Sequence, residues 1–198
     1  MRIDSCVSLS WAGTLALSCW VVACSSEPKP DTQGLVERGA YLLSITGCDD
    51  CHSPKVFKDG LPQPDMSRRL SGHPADATLP PVPAGALGPE QWGFIGNDQM
   101  TAWAGPWGIS FAANITPHAD GLGLWTEAQF VNSMRTGMHL GVGRPVLPPM
   151  PWPAYRNMSD EDLKAVYAFL KTLPPVANLV PQPVAPGAAR GRPKPSAP

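Results

Sequence analysis

Two cysteines and a histidine stand together in Cys48-Asp49-Asp50-Cys51-His52. Thiols three positions apart can hold two edge substituents of one planar macrocycle. An imidazole directly after the second can reach a metal at its centre, and this is the attachment pattern of a c-type haem. Three other chemistries fit less well. A thioredoxin-like dithiol needs a β-α-β context, whereas residues 39–47 read as the end of a short helix. A structural zinc site needs a second Cys or His pair, but His73, His118 and His139 stand singly and far apart. A plain disulfide across so tight a loop leaves His52 without a role.

The remaining cysteines, Cys6, Cys19 and Cys24, lie near the start of the chain. The apolar run from Trp11 to Val22 is shorter than the roughly 20 residues a membrane-spanning helix needs and has the length of a signal-peptide core. Val21-Val22-Ala23-Cys24 followed by Ser25 resembles the lipobox of bacterial lipoproteins. That resemblance implies a signal peptide at 1–23, a lipid on Cys24 and a polar tether at 24–33. It also implies a bacterial cell-envelope address facing the periplasm, with the outer membrane favoured by Ser25. Either way, the thiol pair works outside the reducing cytosol.

Elements that position the motif can be read on both sides of it. Leu35, Val36, Tyr41 and Leu42 give a first helix running toward Gly47, and Leu163, Val166, Tyr167 and Leu170 share one face of a last helix that stops at Pro174-Pro175. With Gly39-Ala40-Tyr41-Leu42, Cys48 to Pro54, Leu147 to Trp152 and Asn157 to Leu163, the chain resembles the small bacterial c-type cytochromes that carry a single haem. The resemblance implies a mainly α fold over residues 34–176, with helices around one haem c bound covalently through Cys48 and Cys51. It makes His52 the proximal metal ligand and a methionine the ligand on the other face. In that family the first and last helices cross, and Gly39 is small enough to let them approach.

Six methionines besides the initiator could supply the thioether: Met66, Met100, Met134, Met138, Met150 and Met158. Thr126 as N-cap with Gln129 forms a capping box, and Phe130, Met134 and Met138 then recur at i, i+4 and i+8 on one apolar stripe. Ser159 as N-cap pairs Met158 with Leu163 in a hydrophobic staple. Met150 has no such packing duty. It stands in Pro148-Pro149-Met150-Pro151, where the rings fix φ and stiffen the segment, so it is the expected ligand, with Trp152 placed to pack against the haem. His73, His118 and His139 are the other possible ligands, with His139 the foremost rival, and the alternative for each of the three is a solvated loop histidine.

About a third of residues 60–108 are Gly or Pro, with Trp92, Phe94, Trp103 and Trp107 interleaved. This long insertion reads either as a flap over the cofactor or a docking surface, or as a satellite hydrophobic cluster. From Ala177 the chain reads as a flexible Pro/Ala-rich tail to Pro198. Lys+Arg 15 against Asp+Glu 16 leaves no strong field, which argues against nucleic acid as partner.

An iron with both axial positions filled by protein has no place for substrate, so the economical function is one-electron transfer rather than catalysis. The expected partners are redox proteins (a periplasmic dehydrogenase, an oxidase or another cytochrome) and the membrane through the lipid. Two rival readings stay open: a haem subunit of a larger dehydrogenase, and a five-coordinate haem enzyme or sensor.

Overall fold

In the computed structural model, which describes residues 31–187, helices begin where short polar side chains take up a free backbone N–H. Asp31 accepts from Gly34 N and opens α1 (Thr32–Ile45). Gly47, at φ 69°, turns the chain into the short α2 (Cys48–His52). Thr126 and Gln129 form the expected capping box at the start of α3 (Glu127–Thr136). The single turn α4 (Trp152–Tyr155) precedes α5 (Asp160–Leu170), where Ser159 accepts from Asp162 N and three acidic residues fill the first turn, matching the positive end of the helix dipole. The expected signal segment, Cys24 and most of the tether lie outside the described residues, as do residues 188–198.

Helices α1 and α5 pack directly on each other. A Cβ at Gly39 would stand 1.9 Å from the Ala165 carbonyl oxygen and 2.8 Å from Phe169 Cβ, so only hydrogen fits there. Leu42, Leu43, Leu163, Ala165, Val166 and Leu170 are buried at this contact, in one cluster with Leu70, Leu122 and Phe130. Each fully buried leucine contributes about 1.5 to 3 kcal/mol of transfer free energy. An Arg38 Nε to Asp162 Oδ1 contact of 2.9 Å crosses the same pair of helices.

The fold is not mainly α, contrary to expectation. The described residues also carry β1 (Lys55–Lys58) paired with β2 (Leu61–Pro64), and a three-stranded sheet of β3 (Ile95–Gly96), β4 (Ala102–Gly105) and β5 (Gly108–Phe111), all antiparallel. Asp59 and Gly60 take φ of 51° and 78°, the geometry whose twist matches two flanking strands. A composition that reads as structureless loop instead supplies tight hairpin turns. Helix α3 likewise ends earlier than the apolar stripe suggests: Gly137 caps it at φ 68°, so Met138 lies beyond the helix and bridges Pro145.

Residues 177–184, the start of the segment read as a tail, run back along this domain. Asn178 donates to the Ser71 and His73 carbonyls at 2.7 and 2.9 Å and accepts from Ala75 N at 2.9 Å. Val184 and Ile109 exchange two backbone hydrogen bonds, at 2.8 and 2.9 Å.

Candidate cofactor site

One helical turn carries all three motif side chains. Cys48 and Cys51 are separated by i, i+3 and Cys48 and His52 by i, i+4, so they share a face of α2. All three line one cavity of about 600 Å³, with Phe94, Trp103, Trp125 and Leu163 among its walls. Both cysteines are free thiols. Burial holds both thiols above their ordinary range; at Cys48 the Thr46 hydroxyl, 3.4 Å away, acts against that.

His52 Nδ1 lies 2.7 Å from the carbonyl oxygen of Ala113. A carbonyl can only accept, so Nδ1 carries the proton and Nε2 keeps its lone pair for a metal. Burial lowers the pKa of this imidazole, with the Ala113 bond acting in the opposite sense.

The termini of α2 are tied down by charge. Arg69 Nη2 meets Asp49 Oδ2 at 2.7 Å, and Ser53 Oγ donates to Asp49 Oδ1 at 2.8 Å. Burial pushes the Asp49 carboxyl up, but the bonds from Arg69 and Ser53 outweigh it and leave the group below its usual value. The buried Lys55 donates to the Ser53 and Asp49 carbonyls at 2.5 and 3.1 Å, closing the carbonyl end of the turn. Tyr155, another cavity residue, donates its hydroxyl to Thr46 O at 2.7 Å, and burial pushes its phenol up to about 12.

The cavity also brings Met150 to the three motif residues, together with Met100, Met134 and Met158. Met134 and Met158 pack against the hydrophobic core as expected of them, but they face the cavity as well. Met66 is 68% exposed and lies elsewhere. Among the histidines, His139 lines the cavity with its ring edge-on to Trp125 at 4.9 Å. His73 is buried against Thr101 and Phe111, and His118 pairs with Asp120 at 3.2 Å. Trp152, expected beside the cofactor, instead covers Gly137, where a Cβ would stand 2.3 Å from its ring. Arg69, Lys55 and the Ala113 carbonyl escaped the sequence reading. Lys55 sits close to the motif, but no sequence signal marks a backbone oxygen far from it.

Comparison with known proteins places this arrangement. No protein-family model matches the chain. It is 38% identical over 163 residues, 81% of its length, to the cytochrome c subunit of a quinone alcohol dehydrogenase from Gluconacetobacter polyoxogenes. It is 31% identical over 146 residues, 73% of its length, to the gluconate 2-dehydrogenase cytochrome c subunit of Pantoea cypripedii. The corresponding alcohol dehydrogenase subunit of Gluconobacter oxydans is 26% identical over 170 residues, 85% of the chain. The chain is a c-type cytochrome. It spans 26%, 24% and 28% of the length of these three relatives.

The cofactor such a cytochrome implies is haem c, and the residues present suit it. Two unpaired thiols, an imidazole with a free Nε2 and thioether sulfur border one largely apolar cavity. The cytochrome has no helix among its described residues long and apolar enough to cross a membrane.

Proposed function

We propose that this cytochrome carries single electrons to or from a dehydrogenase, with one haem held by Cys48 and Cys51 and ligated by His52 and Met150. The observation that carries the reading is that one cavity gathers all four side chains. When bound, the haem supplies a centre that gains and loses one electron between Fe(III) and Fe(II). The chain's own residues hold and screen it. The thiols would fix the porphyrin to α2, His52, held in one tautomer by Ala113, would offer Nε2 to the iron, and Met150 would offer soft sulfur. The apolar walls keep water away, which with Met sulfur favours a relatively positive potential.

Three relatives named as dehydrogenase cytochrome subunits support a dehydrogenase as the partner. The chain itself acts as carrier rather than catalyst. Cys24 is the proposed lipid attachment point, placing the carrier at the periplasmic side of a bacterial envelope membrane. More than one acyl chain, at about 0.8 kcal/mol per buried methylene, gives stable anchoring.

An optical redox titration of the purified protein tests the reading. It predicts one reversible one-electron wave and a ferrous form that does not bind carbon monoxide. Rapid carbon monoxide binding, the mark of an open iron position, would favour a haem enzyme or sensor instead.

A further inference from the structure

Trp103, Ser110 and Phe111 of the three-stranded sheet, and Ala112 and Ala113 after it, line the cavity. Just past β5, the Ala113 carbonyl accepts the hydrogen bond of the His52 Nδ1–H. Within β5, Ser110 is 5% exposed and donates its hydroxyl to the Pro148 carbonyl at 2.6 Å, while accepting from Trp107 Nε1 at 3.1 Å. Trp107 is itself seated on Gly105, where a Cβ would stand 2.6 Å from the indole. The chain from indole to hydroxyl to carbonyl therefore runs from the sheet into the loop that carries Met150.

That loop has few other ways to be held. Pro148, Pro149 and Pro151 have no N–H to donate, so carbonyl acceptors are its main backbone handles. Among the described residues, the Ser110 bond is the single hydrogen bond that ties residues 147–150 to the sheet. Ser110 lines the same cavity as Met150, yet its hydroxyl is spent on the loop.

We propose that Ser110 is a positioning residue for Met150, holding the proline loop so that the thioether stays in the cavity. The inference rests on the reading of Met150 as a ligand. Ser110 and Ala113, three residues apart, would then hold Met150 and His52 from one stretch of backbone just past the long insertion.

Imidazole competes with a methionine for its place on ferric haem, so its affinity reports how firmly the loop holds Met150. Titration of the ferric holoprotein with imidazole is the test. Ser110→Ala removes the donor to Pro148 and leaves the Trp107 N–H unpaired, and is expected to bind imidazole about tenfold more tightly, with a weakened far-red sulfur-to-iron band. Ser110→Thr, which keeps the hydroxyl, is expected to restore both. Trp107→Phe leaves the Ser110 bond in place and is expected to give a smaller tightening, about two- to threefold. Unchanged affinity and band in the folded alanine variant overturn the inference, as does an unchanged Trp107→Phe should the alanine variant not fold. A wild-type protein lacking the far-red band overturns the Met150 assignment beneath it, which separates the two failures.

Discussion

The imidazole of His52 and the carbonyl of Ala113 meet at 2.7 Å across 61 residues of sequence. The short helix α2 cannot orient its own histidine, because five residues leave no neighbouring turn to pack against the ring. Orientation comes from the backbone just past the strand that ends at Phe111. The same backbone is anchored from the other side, where Gly72 N donates to His52 O at 2.7 Å and His73 N to Ala112 O at 2.9 Å.

That bond has a direct signature. In the ¹⁵N-labelled ferrous protein, His52 is expected to show a proton on Nδ1 that exchanges slowly with deuterated solvent. Rapid exchange or a proton on Nε2 would contradict the geometry.

Among the cavity methionines, only Met150 is expected to govern the iron. Met150→Ala is predicted to abolish the far-red band, convert the ferric iron to high spin and lower the potential. Met134→Ala, at a partly buried core position, is predicted to keep the spectrum and lose about 2 to 3 kcal/mol of stability. Spectra and guanidinium unfolding of the two variants check this, and equal spectral changes would refute the choice of Met150.

The α1–α5 crossing depends on a missing side chain. Gly39→Ala places a methyl 1.9 Å from the Ala165 carbonyl oxygen, so the helices must separate. The expected cost is about 3 kcal/mol, read as a lower denaturant midpoint. A gain in stability, as a helical Gly→Ala change gives where there is room, would contradict the packing.

His73 adds a pH dependence. Buried at 1% exposure and bonded to Thr101 at 2.9 Å, it is held below its ordinary value of 6.5 by burial. The unfolded chain therefore takes up a proton near 6.5 that the folded one refuses. The stabilisation is complete above that pH and is lost as the pH falls toward the folded value. His73→Phe cannot titrate, so the stability difference between wild type and variant is expected to narrow below pH 6.5. Denaturant midpoints across pH 5 to 8 measure it, and a constant difference contradicts it.

The motif residues were legible because their pattern is one of local spacing. Cys48, Cys51 and His52 share a helical face by arithmetic alone, and the caps at Thr126 and Ser159 follow from side-chain chemistry within three residues. Gly39 was legible as a close approach through the family resemblance, which implies that the first and last helices cross. The sheets were not. Their strands are short, and Lys55–Lys58 and Leu61–Pro64 are mostly solvent-facing, so no alternation stands out. The Asp59-Gly60 pair was the one local hairpin signal available, and the surrounding prolines obscured it. Ser110, Arg69 and the Ala113 carbonyl act across long sequence separations, through contacts that only the folded chain creates.

The central claim is that one haem is joined to Cys48 and Cys51. Intact-mass measurement of the protein, matured in a host able to attach c-type haem and then fully denatured, tests it most directly. The account predicts the mass of the processed chain plus one haem, with no adduct in the Cys48→Ala, Cys51→Ala double variant. A denatured wild-type chain at its bare polypeptide mass would contradict it.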